Sequence, residues 1–433
     1  AYQTATITIQ RETTTPFDLT QEVDGEKFQG FGSEQFPFKG TIAITSSGSG
    51  IDIPINHSFF NYLDQSATIN EGLYLKAKGT VDGPLLAANY VKDENSTVAE
   101  PKQIYLMIGA EKEDNNLPSV GGIIGTMGGG TNLSLSVVNK ITEANTTITG
   151  TGNLGFFCNT MGEGAKLTIA SYTEGNSTNS GSTGSGTATI GYNISTTDGH
   201  AGGLVGEMKD GSILTVNQAL NLTGNVTTTT EGFAAGGLIG AAENPTITLN
   251  DTVTRTGTIE GTSESGGFIG KAVYNTGLEL DLSKINVSGI TISNGNHAGG
   301  YFGVLNFDST AGGTITIKTN SQTNQTDPTN LTHTGTSWQF GGVIGQYSAN
   351  SQSSTLRLES PNVNISSNGT VTALGGIIGS VAGNRADHAL KEVTSAYVEI
   401  SDATVAANLT TDLTTDGYFG GLVGELGQAE GQG

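Results

Sequence analysis

From Gly236 to Gly270 the chain reads GGLIGAAENPTITLNDTVTRTGTIEGTSESGGFIG, and this stretch decides the fold. It opens and closes on one motif, Gly-Gly-Φ-Φ-Gly, where Φ is apolar. Between the two copies lie TITLND and then TVTRTGTIEGT, both alternating in polarity and bounded by Asn, Asp and Gly. Alternation with period two is the mark of a half-buried strand. Several short strands and turns in a unit of about 30 residues are what one coil of a parallel β-solenoid needs.

The motif extends in both directions. It recurs as GGIIG at Gly121–Gly125, GGLVG at Gly202–Gly206, GGFIG at Gly266–Gly270 and GGYFG at Gly299–Gly303. It returns as GGVIG at Gly341–Gly345, GGIIG at Gly375–Gly379 and GGLVG at Gly420–Gly424. LGFFCN at Leu154–Asn159 is a degenerate copy; QGFGS at Gln29–Ser33 and SFFNYL at Ser58–Leu63 are weaker ones. From position 121 the spacings are 33, 48, 34, 30, 33, 42, 34 and 45. The long ones carry insertions: a Gly/Ser/Thr-rich loop at Thr173–Thr189, a polar loop at Asn320–His333, and NRADHALKEV at Asn384–Val393. This last segment, with Asp387 and Lys391 at i,i+4, reads as one or two helical turns. Leu85–Pro118, with its two charged runs, reads as a loop between the opening coils and the regular array.

These features predict an all-β chain: a single elongated right-handed parallel β-helix (β-solenoid) of about ten coils with an N-terminal cap. Residues 1–120 form the cap and opening coils with a charged loop insertion, and 121–433 the regular coils. Gln29, Gly121, Gly202, Gly236, Gly266, Gly299, Gly341, Gly375 and Gly420 are expected at equivalent corners. The paired glycines are expected to take φ > 0 there, with one Φ residue in the core and the other at the corner or against a neighbouring segment. The chain closes on GGLVGELGQAEGQG without a polar capping element. It is therefore expected to be truncated at its C-terminus, part of a longer polypeptide.

Composition narrows the function. Of 433 residues, 65 are Gly, 62 Thr and 35 Ser, and only 13% are charged. A typical soluble domain carries about 25% charge, so an ordinary helical enzyme is a poor match. Net charge is −22 and the cations are scattered singly, which speaks against nucleic acid as a partner. No run of 18 apolar residues occurs, so no membrane insertion is expected. The single Cys158 excludes an internal disulfide framework and reads as a small buried hydrophobe.

At Phe28–Thr41 the chain reads FQGFGSEQFPFKGT. Together with the GGLVG-type copies, this resembles the GLUG-type glycine-rich repeat β-helix regions of large bacterial surface proteins. These include adhesins and the non-catalytic parts of IgA-protease-like polypeptides. The resemblance runs from Phe28 to the C-terminus and implies a secreted, cell-surface chain. The H-E-x-x-H zinc signature of the enzymatic members is missing, since none of His57, His200, His297, His333 and His388 is followed by Glu.

The candidate chemistry is thin. GFIGK at Gly267–Lys271 is no phosphate loop, because Ala272 follows the lysine. A polysaccharide-degrading β-helix needs carboxylates stacked on neighbouring coils. The residues just after the motifs are instead Glu207, Ala241, Lys271, Val304, Gln346, Ser380 and Glu425, and no column of acids emerges. No cofactor is expected. Calcium is the one candidate ion, at Glu111–Asn116 or Asp93–Asn95, although neither has an EF-hand loop. Trp338, His333, Tyr301 and Tyr347, near glycine corners, are the candidate ligand-binding residues for a host or environmental glycan or protein. Of the two roles open to Trp338, packing against the corner before Gly341 is the expected one. The expected function is a non-enzymatic, extracellular adhesin or ligand-binding stalk module. The alternatives are a polysaccharide lyase or hydrolase and a purely structural spacer.

Overall fold

The structure, a computed structural model, describes residues 4–10, 18–45, 51–69, 73–92, 102–110, 122–139, 147–170, 187–319, 328–351, 353–383, 385–386, 389–390, 397–409 and 412–426. Every helix or strand among them is a strand. An eleven-stranded parallel sheet takes one strand per coil, from Phe60–Asp64, Ala87–Val91 and Ile124–Met127 through Ile344–Ala349 and Ile378–Gly383 to Val423–Leu426. Two eight-stranded parallel sheets run alongside it. One spans Thr147–Gly150 to Thr404–Leu409 and the other Leu154–Gly155 to Asp412–Gly420. The remaining side is a seven-stranded sheet, running in space from Ile51–His57 to Thr246–Leu249. A four-stranded sheet from Leu278–Asp281 to Tyr397–Ser401 serves the later coils. The chain is a parallel β-helix, and the eleven strands of its longest sheet are close to the ten or so coils expected.

The motif glycines stack in register. Gly155, Gly202, Gly236, Gly266, Gly299, Gly341, Gly375 and Gly420 form one column, rung on rung. Gly155, not Leu154, is thus the equivalent residue in the degenerate copy. Gly122, in the first copy, takes the expected positive φ of 48°, but the later copies use glycine for another reason. From Gly202 onward no motif glycine has a positive φ. Close approach excludes the side chain instead. A Cβ on Gly236 would overlap the Ile239 carbonyl oxygen of its own corner, and one on Gly237 would overlap the Gly267 carbonyl oxygen of the next coil. A Cβ on the third glycine would meet the corresponding carbonyl of the preceding coil, at 2.5 Å from Gly240 to Gly206 and 2.6 Å from Gly345 to Gly303. Two sheets therefore meet backbone to backbone, with no side-chain layer between them.

In the copies from Gly202 to Gly379 both Φ residues are buried, while in the last copy Leu422 is exposed. Leu204, Val205, Leu238, Ile239, Phe268, Ile269, Val343, Ile344, Ile377 and Ile378 are all below 1% exposed. Paired amides explain the geometry. The Leu238 and Ile239 N–H groups both donate to the Phe268 carbonyl, at 3.0 and 3.1 Å, and the pattern repeats from coil to coil. Cys158 occupies the second Φ position between Ile124 and Val205 and is buried. Burial pushes its thiol up to about 12.

Several expected loops are strands. Within Leu85–Pro118, Leu85 and Leu86 take motif positions without any glycine, and Ala87–Val91 and Lys102–Ala110 join the long sheets. The remainder of that segment, including the calcium candidates Asp93–Asn95 and Glu111–Asn116, lies outside the described residues. So does most of Thr173–Thr189, although Ala188–Ile190 pairs with Leu220–Leu222. In place of a helical turn, Arg385–Ala386 and Ala389–Leu390 form an antiparallel pair; Asp387, His388 and Lys391 lie outside the described residues.

Apolar columns fill the interior, and Arg255 interrupts one of them. Arg255 follows Ile190 and Leu222 in one column. Its guanidinium donates to the Leu222 carbonyl at 3.0 Å and to the carbonyls of Thr256 and Gly224, while Nε has no partner. Burial lowers its pKa to about 9. A buried cation without a carboxylate is costly, and an apolar side chain of similar volume is often neutral or better. Arg255→Met should therefore raise the melting temperature, by about 1–2 kcal/mol of stability. Arg255→Ala, which leaves a cavity, should lower it. A clear loss of stability in the Met variant would show that the carbonyl contacts outweigh desolvation.

Candidate functional site

The corner between the glycine-rich strands and the eleven-stranded sheet carries the unusual side chains. Two residues before the first motif glycine, the stack runs Ala234, Glu264, His297, Gln339, Ala373 and Tyr418. Facing it, after the motif, stand Thr160, Glu207, Ala241, Lys271, Val304, Gln346, Ser380 and Glu425. From Glu207 onward this is the column read from the sequence, now seen as stacked residues. Its two carboxylates are separated by five rungs.

Polar contacts knit these stacks together. Asn153 donates to Glu207 at 2.8 Å and accepts from the His200 amide at 2.9 Å. The His200 Nδ1 accepts from the Ala234 amide at 3.0 Å, which fixes the ring as the neutral Nε2–H tautomer. Burial, aided by Lys271, lowers its pKa to about 4. Glu264 has a buried Oε2 without a partner. Burial holds its carboxyl above the usual range against the pull of Lys271. His297 bonds to Gln339, and its ring meets Trp338 edge-on at a centroid distance of 6.5 Å.

The four candidate ligand-binding residues do not come together as a surface. Tyr301 is the first Φ residue of its motif, buried, with its hydroxyl 3.4 Å from Thr329. Tyr347 lies in a core column between Leu305 and Val381. His333 follows Ile259 and Ile292 in an apolar column. Its ring nitrogens bond Ser367 at 2.9 Å and Ser337 at 3.0 Å, and burial lowers its pKa to about 4. None of the three offers a free face. His333 belongs to a strand, Thr329–Thr334, because TNLTHT alternates and its parity points inward; residues 320–327 lie outside the described residues.

Trp338 departs from expectation in the other direction. It is 47% exposed, not packed against the corner. Along Thr336–Gly341, Ser337 and Gln339 are buried while Thr336 and Trp338 are exposed. Strand parity thus sends the indole outward. Trp338→Ala should accordingly cost less than about 1 kcal/mol, far below the 3–5 kcal/mol of a core tryptophan. Urea unfolding of the variant checks this.

No helix among the described residues is long and apolar enough to cross a membrane. No family model, curated protein or solved structure matches the chain.

Proposed function

We propose that the chain is a non-enzymatic, ligand-binding module of a secreted or cell-surface bacterial polypeptide, an adhesin or stalk whose coils present a rigid surface. The observation that carries this reading is Trp338, a large aromatic ring held half-exposed on a sheet built from eight stacked rungs. An indole half-exposed on a rigid support offers a partner a flat apolar surface at little ordering cost. The resemblance to glycine-rich repeats of surface proteins supports the same reading, and the acidic surface keeps a long Thr-rich rod apart from its neighbours.

The test is to probe the immobilised chain with a glycan array and with extracellular-matrix proteins. Reducing-sugar release and unsaturated-uronate absorbance are measured in parallel. Binding without turnover is the expected result. Turnover by the wild-type chain would establish the degrading enzyme instead, and neither binding nor turnover the spacer.

A further inference from the structure

The coils around Trp338 separate their charges by side. No Asp, Glu, Lys or Arg occurs in residues 285–307, 328–356 or 360–384, although the chain carries a net charge of −22. The ion pairs of these coils lie on the four-stranded sheet, where Lys318 pairs with Glu279 at 2.6 Å and Arg357 with Glu399 at 2.7 Å; Asp308 follows the strand Phe302–Phe307, and Asp327 lies outside the described residues. On the uncharged side, hydroxyl residues stack in register across the rungs. Thr291, Thr332 and Ser366 form one column; Ser293 lies beside Thr334, and Thr336 beside Thr370.

Trp338 stands on this uncharged surface. Its amide donates to the Asn296 carbonyl at 2.9 Å, which places Asn296 beside it in the preceding rung. Pairing of Ser337 with Val371 and of Gln339 with Ala373 places Thr372 opposite it in the following one. The side chains of Asn296, Thr336, Thr370 and Thr372 make no hydrogen bond among the described residues. An aromatic ring with a free face, framed by unspent hydroxyls and an amide, matches a sugar ring. The apolar C–H face of the sugar stacks on the indole while its hydroxyls exchange hydrogen bonds with Thr and Asn. Among the described residues from 285 to 383 the cations are Lys318 and Arg357, both on the four-stranded sheet, so none of them stands beside Trp338 to neutralise a uronate or sulfate, and the overall charge repels polyanions. Because the groups stand on paired strands about 4.8 Å apart, little ordering cost opposes binding.

We propose that this surface binds an uncharged polysaccharide, stacked on Trp338 and running across neighbouring rungs. The proposal rests on the surface-binding reading above and adds the site and the ligand chemistry.

Trp338 is the only tryptophan, so its fluorescence reports on the site directly. The full chain would be titrated with the neutral polymers galactomannan, laminarin and hydroxyethylcellulose, and with anionic polygalacturonate. The expected result is a saturable change in emission with at least one neutral polymer and none with polygalacturonate. Trp338→Ala should weaken capture of that polymer about tenfold or more, and Trp338→Tyr should retain most of it. Neutral-polymer binding that the Ala variant leaves intact would overturn the site while sparing the wider reading. Binding only to polygalacturonate or only to a protein would overturn the ligand class. Binding to nothing, on the array as well, would sink both readings.

Discussion

Gly237→Ala should strongly destabilise the chain, by about 4 kcal/mol or more, whereas Gly421→Ala, at the same place in its motif, should be silent within about 0.5 kcal/mol. A methyl group on Gly237 would strike the Gly267 carbonyl oxygen and press on Arg255 Cγ at 3.2 Å. The amide of Gly237 donates to the Gly266 carbonyl at 2.8 Å, so the strand cannot retreat without giving up pairing. Nothing lies within 4 Å of a Cβ built on Gly421. Neither residue has a positive φ, so backbone conformation does not separate them; only stacking does. Urea and thermal unfolding of the two variants make the comparison. Solenoids can unfold in segments, so both midpoint and cooperativity should be read. Equal tolerance at the two sites would mean that the seam is not limited by backbone contact.

Stability should also fall as pH drops from 7 to 5, through two buried histidines. His200 and His333 have native pKa values lowered to about 4, in each case chiefly by burial. The unfolded value is near 6.5. Between those limits the unfolded chain binds a proton that the native chain refuses, so stability is complete above about pH 6.5 and is lost as the solution acidifies. Each histidine removes about 2 kcal/mol by pH 5 and about 3 kcal/mol by pH 4. Glu264, whose carboxyl is held up by burial, acts in the opposite sense, so a histidine variant is needed to isolate the histidine contribution. Protonating His200 would also break its bond from the Ala234 amide. His333→Leu, which restores the apolar column, should flatten the pH dependence by about one proton. Urea midpoints that stay constant between pH 7 and 5 would contradict this account.

The columns were the most legible part of the molecule. Counting from one motif to the next placed Glu207, Ala241, Lys271, Val304, Gln346, Ser380 and Glu425 in equivalent positions, and they stack in that order. The alternating segments LSLSVV, KLTIAS, ILTVNQ and TITLND form adjacent strands of one sheet. Reading failed where a copy lacked glycine. Leu85 and Leu86 complete a motif that no glycine marks, because a coil with fewer neighbours on its seam tolerates a side chain there.

The candidate site was harder to read, because it depended on which way single residues face. Tyr301, His333, Tyr347 and Trp338 all lie near glycine corners, and proximity to a corner does not fix the direction of a side chain. Parity within each rung does, and a corner resets it. The sequence by itself determined the repeat, the alternation within the strands and the burial of Cys158, because each is a property of local spacing and composition. Only the tertiary structure decided that three candidates are core residues and the fourth is exposed. It also showed that from Gly202 onward the motif glycines serve contact between coils and not a left-handed turn, which Gly122 does take. Those outcomes depend on atoms one coil away, about 30 residues off in the chain, where local pattern carries no information about distance.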